Sequence, residues 1–211
     1  MNYLAIYSEV INLRFNNQTG KTAQVKSWVG QAEIALWNAA DWNFKRVPLA
    51  QLSVVAGVAT EPADFGKAKR LFDPRGSRLE YLEPDVFEEA FMAEPTPQVA
   101  NATHYTVINR QIIVAPQETS IAFKLSYRRR YAHLNSGGAT VAGLMSSDTD
   151  TPIWDSEFHY LLVPWAIILG EKLEKDPTAE SLRAQRDEML AGMISELTGG
   201  QEGEPIQYGY P

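Results

Sequence analysis

The chain contains no cysteine, and that single absence removes disulfides, thiolate nucleophiles and cysteine zinc sites together. Histidine is nearly as scarce. Its three copies, His104, His133 and His159, are scattered and form no metal or triad spacing, so each reads as a packing or surface residue. No Gly-x-Ser-x-Gly turn offers a serine nucleophile. Neither Gly66-Lys67 nor Gly137-Gly138 has the spacing of a phosphate loop. The most apolar run, Phe158 to Leu169, is shorter than the roughly 20 residues a bilayer requires and holds Pro164. It predicts a buried helix and no membrane partner. The first nine residues lack a basic segment followed by a continuous apolar one, so no secretory signal is expected. A basic excess is missing too. Nineteen basic against 26 acidic residues leave a net charge of −7, which argues against a protein whose main work is gripping phosphates.

What is present is ordinary globular material: 45% hydrophobic and 21% charged over 211 residues, which suits one composite domain. Helical periodicity marks the two ends. Tyr3 to Arg14 predicts a short helix ended by Asn16 to Gly20. Val25, Trp28, Val29, Ala32, Leu36 and Ala39 then repeat at three and four residues, with Thr22 as the expected cap. Trp37 falls off that stripe and is expected at a contact with a second partner. Thr151-Pro152 predicts the start of a helix kinked at Pro164, and Asp176-Pro177 the start of another, with Leu182, Met189, Met193 and Leu197 inward and Gly199-Gly200 at its end.

The middle changes period. Leu52–Ala56, Lys69–Phe72, Arg78–Leu82, Tyr105–Ile108, Gln111–Val114 and Ile121–Arg128 alternate as strands, with Asn109-Arg110 placed for a tight hairpin turn. The expected fold is α+β. Residues 1–43 and 151–200 form a helical bundle core, 44–131 a β-rich, sandwich-like insertion, 132–150 a long loop, and 201–211 a C-terminal extension.

Few residues in this frame suggest chemistry. Asp148, Asp150, Asp155 and Glu157 resemble the start of a calcium loop, but Pro152 breaks the template and the final glutamate is missing, so no metal is expected. Capping of a following helix explains them. Arg128, Arg129 and Arg130 read either as a solvated strand end or as a contact for DNA phosphates or an acidic partner. Ile206, Tyr208 and Tyr210 put apolar surface into a polar tail, as a docking arm would.

Several segments, in order, resemble the head-to-tail adaptor (connector) proteins of tailed bacteriophages: Trp42-Asn43-Phe44, Pro62-Ala63-Asp64-Phe65, Tyr105, Ile113-Val114-Ala115-Pro116, Leu125-Ser126-Tyr127, Asp148 to Pro152, and His159 to Leu162 with Ala166. Glu61-Pro62-Ala63 departs from the leucine-proline pair many of them carry. The resemblance implies a non-enzymatic virion subunit with no cofactor, assembled in the host cytoplasm, in a ring that is usually dodecameric. Its partners would be copies of itself, the portal protein and a downstream neck or tail protein, with DNA passing through the channel without specific binding. Trp37, Arg128 to Arg130, the loop carrying Asp148 and Asp150, and the tail from Ile206 to Tyr210 are then the interface candidates. Two other classes stand beside this one. A sugar- or peptide-binding β module predicts an aromatic-lined pocket in a stable monomer. A carboxylate-dependent hydrolase predicts two acidic groups sharing a cleft.

Overall fold

The computed structural model describes residues 1–92, 100–117 and 121–198. The chain divides into two units. One comprises Met1–Lys45 and the chain from Tyr131 onward; the other is Arg46–Arg130.

In the first unit, helix α1 (Tyr3–Phe15) begins at Asn2, whose side-chain oxygen accepts the Ala5 amide at 2.9 Å. It stops where Asn16 turns left-handed at φ 47°. Tyr3, Ile6, Tyr7, Val10 and Ile11 line its buried side. Helix α2 (Thr22–Ala39) buries Val25, Trp28, Val29, Ala32 and Leu36 as its spacing predicts, together with Glu33 and Trp37. Thr22 is not its N-cap: the residue is already helical, and its hydroxyl donates to the Thr19 carbonyl in the preceding 3-10 turn.

The second half of this unit departs further from expectation. Thr151–Pro152 is a short strand, and the following turns Ser156–Leu161 are 3-10. The α-helix proper, Leu162–Gly170, starts only there. Pro164 therefore sits in its first turn, where no intrahelical amide bond is lost and no kink is needed. Seven of its nine residues are buried, including Trp165 and Ile167. Asp176 caps the next segment as predicted, accepting the Thr178 amide at 2.8 Å, and leads through Pro177–Ala179 into the helix Glu180–Leu197. Gly199-Gly200, read as that helix's end, lies outside the described residues. Nor is 132–150 simply a loop. Ala132–Leu134 pairs with Thr140–Ala142 and with Thr151–Pro152 in a three-stranded sheet.

The second unit is one seven-stranded sheet, not a sandwich of two. Its strands in chain order are β1 (Arg46–Val54), β2 (Val58–Thr60), β3 (Phe65–Phe72), β4 (Arg78–Tyr81), β5 (His104–Ile108), β6 (Gln111–Ala115) and β7 (Ile121–Arg129). In space they run β1-β7-β3-β4-β5-β6-β2. The first and last of these are joined by the hairpin Val55–Val58, whose two amide-carbonyl bonds are 2.9 and 3.1 Å, so the sheet curls almost into a barrel. Leu52, Val54, Leu71, Leu79, Ile112, Phe123 and Leu125 fill its interior. Two tight turns set its shape. Asn109 and Arg110 both take positive φ in the predicted hairpin, as do Ala56 and Gly57 in one the strand alternation did not mark. Gly66 is needed for contact: a Cβ there would come within 2.9 Å of the Arg128 carbonyl oxygen across the bulged β3–β7 pair.

Candidate interaction surface

Trp37 is not spare surface. It is 5% exposed, with Phe44 at 5.5 Å and Tyr131 at 5.7 Å between ring centroids, and the Lys45 ammonium lies 5.6 Å above it. Trp42 stacks on Phe44 and donates its indole N–H to the Leu36 carbonyl at 2.7 Å. Lys45 donates to the Ala40 carbonyl at 2.9 Å. These aromatics pin the two points, Lys45 and Tyr131, at which the chain leaves and rejoins its helical unit. The helical stripe alone missed this, because the covering rings come from residues outside the helix.

The arginine triplet divides in use. Arg129 pairs with Asp64 at 2.9 Å, and Arg130 donates twice to the Ala63 carbonyl, at 2.7 and 3.1 Å. Tyr127 donates its hydroxyl to the same Asp64 at 2.8 Å, and Phe65 packs on the Tyr127 ring at 5.6 Å. Burial, then the neighbouring carboxylate, pushes the Tyr127 phenol up to about 12, so it stays a donor. Pro62-Ala-Asp-Phe65 and Leu125-Ser-Tyr127, distant in sequence, thus form one hydrogen-bonded corner. Arg128 lies opposite Arg46 on one side and Lys67 on the other, on the outside of the sheet. Two of the three arginines therefore serve structure first.

Asp148 and Asp150 hold the 140s segment to the helices; they do not converge on a metal. No cluster of three or more His, Asp or Glu side chains that could hold an ion occurs among the described residues. Asp148 accepts from Lys26 at 2.8 Å and from the Tyr7 hydroxyl at 3.1 Å, and its hydrogen bond from Lys26 lowers its pKa. Asp150 is 4% exposed, accepts the amides of Ser146 and Ser147, and stands 3.3 Å from His133. The carbonyls of Asp148 and Asp150 receive the amides of Leu4 and Tyr3. Sequence reasoning passed over Glu33, which faces this segment. It is 1% exposed, accepts the Met145 amide at 3.2 Å, and burial raises its pKa to about 8. Its one visible signal was a carboxylate one position from the apolar stripe of its helix. Ile206, Tyr208 and Tyr210 lie outside the described residues.

Among the described residues the concavities include two that are lined by aromatic and charged side chains. One, of about 420 Å³, lies beside Trp165, where the buried Arg186 pairs with Asp187 and Glu174 and its guanidinium sits 5.9 Å from the indole. The other, of about 520 Å³, is lined by Phe65, Lys67, Lys69, Tyr81, Glu83 and Tyr105 where β3 has separated from β4. The first holds two carboxylates, Glu174 and Asp187, both paired with the Arg186 guanidinium, and the second holds one, Glu83.

A curled β unit is thus inserted into a helical unit, and the signature residues sit at corners and junctions. The profile of the SU10 adaptor protein family matches residues 1–207, and the chain belongs to that family of phage adaptors. A virion component is what that membership implies. Among curated proteins none matches the sequence. Among the described residues no helix is long and apolar enough to cross a membrane.

Proposed function

We propose that the chain is a head-to-tail adaptor subunit without enzymatic activity, which forms a ring beneath the portal, extends the DNA channel and presents a docking face to the next neck or tail protein. The observation that carries this reading is the family match over nearly the whole chain, which includes both units and the segment joining them. The residues behind the resemblance add support. Trp42, Phe44, Asp64, Phe65 and Tyr127 are the groups that fasten each unit's own corners. A subunit that must bear load between a capsid and a tail needs such fastening more than it needs a reactive cleft. Assembly would take place in the host cytoplasm, with the protein ending in the virion neck.

Native mass spectrometry of the full chain, alone and mixed with portal rings, tests the proposal. The expected result is a closed oligomer, free or formed on the portal, with the portal's symmetry or a multiple of the same axis. A chain that stays monomeric and ignores the portal at all concentrations would refute it.

A further inference from the structure

Charge is divided unevenly along this acidic chain. Residues 46–130 hold 11 basic against 10 acidic side chains, whereas residues 1–45 and 131–211 hold 8 against 16. Within the β unit the division sharpens again. Strands β1, β3 and β7 are adjacent and carry seven of the chain's 19 basic residues and not one carboxylate. Their register puts Arg46, Arg128 and Lys67 in one row across the outside of the sheet, with Arg70 and Lys124 further along it. Lys67, Lys69, Arg70 and Lys124 are exposed and make no ion pair among the described residues. Those four exposed cations give the face a positive potential, which calls for an anionic partner.

An apolar group indicates which kind. Between Val47 and Ala50 the β1 register slips, and the bulge holds Leu49 at φ 50° and 53% exposed. A branched side chain in the left-handed region is strained, and an exposed leucine gains nothing from water or from phosphates. It suits a protein surface.

The helix Glu180–Leu197 offers the complement. Ala184, Ala191 and Ser195 fall in one exposed stripe, with Glu180 and Asp187 along one side and Glu188 along the other. Its own two cations are occupied: Arg186 is buried against Glu174 and Asp187, and Arg183 donates to the carbonyls of Leu173 and Asp176. Small residues admit a leucine while the flanking carboxylates meet lysines.

We infer that the basic outer face of β1, β7 and β3 on one copy docks against the exposed acidic face of the helix Glu180–Leu197 on the next, with Leu49 seated on the alanine stripe. Two different faces meeting in this way make a heterologous contact, which forms a ring where the rotation between copies closes, so the inference rests on the ring reading above and names its seam.

Reversing each face in the full-length protein tests it. Lys67→Glu/Lys124→Glu and Glu180→Lys/Glu188→Lys should each weaken self-association at least tenfold by mass photometry, with circular dichroism unchanged. An equimolar mixture of the two should restore it, because each copy then offers its neighbour a matched pair. Leu49→Asn should separate the two roles of that residue: a higher melting temperature from the relieved backbone, with weaker association. Wild-type association should also fall as salt rises. Rings that form equally well with either face reversed overturn the seam and leave the ring standing. Wild type that is monomeric even on portal rings overturns both. Loss of binding to a short DNA duplex in the Lys67→Glu/Lys124→Glu variant, with self-association intact, assigns the face to nucleic acid and also overturns the inference.

Discussion

At Asp64 a tyrosine hydroxyl and a guanidinium converge on a carboxylate that is only 9% exposed. Removing the acceptor leaves the Tyr127 hydroxyl partly buried without a partner and takes the carboxylate from beside the Arg129 guanidinium, which costs more than the net value of the bond. Asp64→Ala should therefore destabilise the fold by about 2–4 kcal/mol in denaturant titration, whereas Tyr127→Phe, which removes one donor, should cost only about 1 kcal/mol. Glu33 has the opposite relation to its surroundings. Its folded pKa of about 8 lies above the unfolded value of 4.5, so the folded state holds a proton that the unfolded chain has lost. Its contribution is fullest below pH 4.5 and fades as pH rises to about 8, at up to about 1.4 kcal/mol per pH unit crossed. Glu33→Gln should match wild type near pH 4.5 and exceed it increasingly toward pH 8, read as the difference in melting temperature. A gap that stays constant with pH would mean the carboxyl is not the proton carrier. At this scale the sequence was legible where a residue type has one common use, as at Asp176. It was opaque at Trp37, because a side chain off one helix's stripe says nothing about what covers it.

Elements depend on a few positions where the backbone has no freedom. Ala56 takes φ 50° in the Ala56-Gly57 turn that brings β1 and β2 together. Asparagine tolerates that region, so Ala56→Asn should raise stability by up to about 1 kcal/mol in thermal unfolding, with no change in secondary structure by circular dichroism. Gly170 ends the buried helix against the indole of Trp28, where an added Cβ would overlap the ring. Gly170→Ala should cost about 1–3 kcal/mol, and Trp28→Leu should recover part of that loss in the double variant. The helices of the N-terminal part were readable because their apolar spacing persists over many residues. The start of the helix at Leu162 was not: Thr151-Pro152 satisfies the sequence rule for a helix opening, but its backbone is recruited by Ala132–Leu134 into a sheet. Tertiary pairing overrode a local signal.

The molecule as a whole has two cores. Tyr3, Trp28, Leu36, Trp42, Leu162 and Trp165 belong to one, and Leu52, Leu71, Ile112, Phe123 and Leu125 to the other, with no residue shared. Each is able to open as its own cooperative unit. Leu71→Ala should therefore reduce hydrogen-exchange protection throughout 46–130 while helices α1 and α2 keep theirs. Uniform loss of protection across the chain would show a single cooperative fold instead. Charge is a whole-molecule property as well. The chain carries a net −7, yet the strands beside one another at β1, β7 and β3 hold cations and no carboxylate.

From the order of residues alone followed the division into helical ends and a β-rich middle, the Asn109-Arg110 turn, and kinship with the phage adaptors. Each rests on periodicity, local backbone preference or motif order, all of which are written along the chain. The three-dimensional arrangement alone decided that the sheet curls nearly into a barrel, that Trp37 is covered, and that basic strands far apart in sequence become neighbours. Strand pairing and burial depend on which distant segments meet, and a one-dimensional pattern carries no record of that meeting.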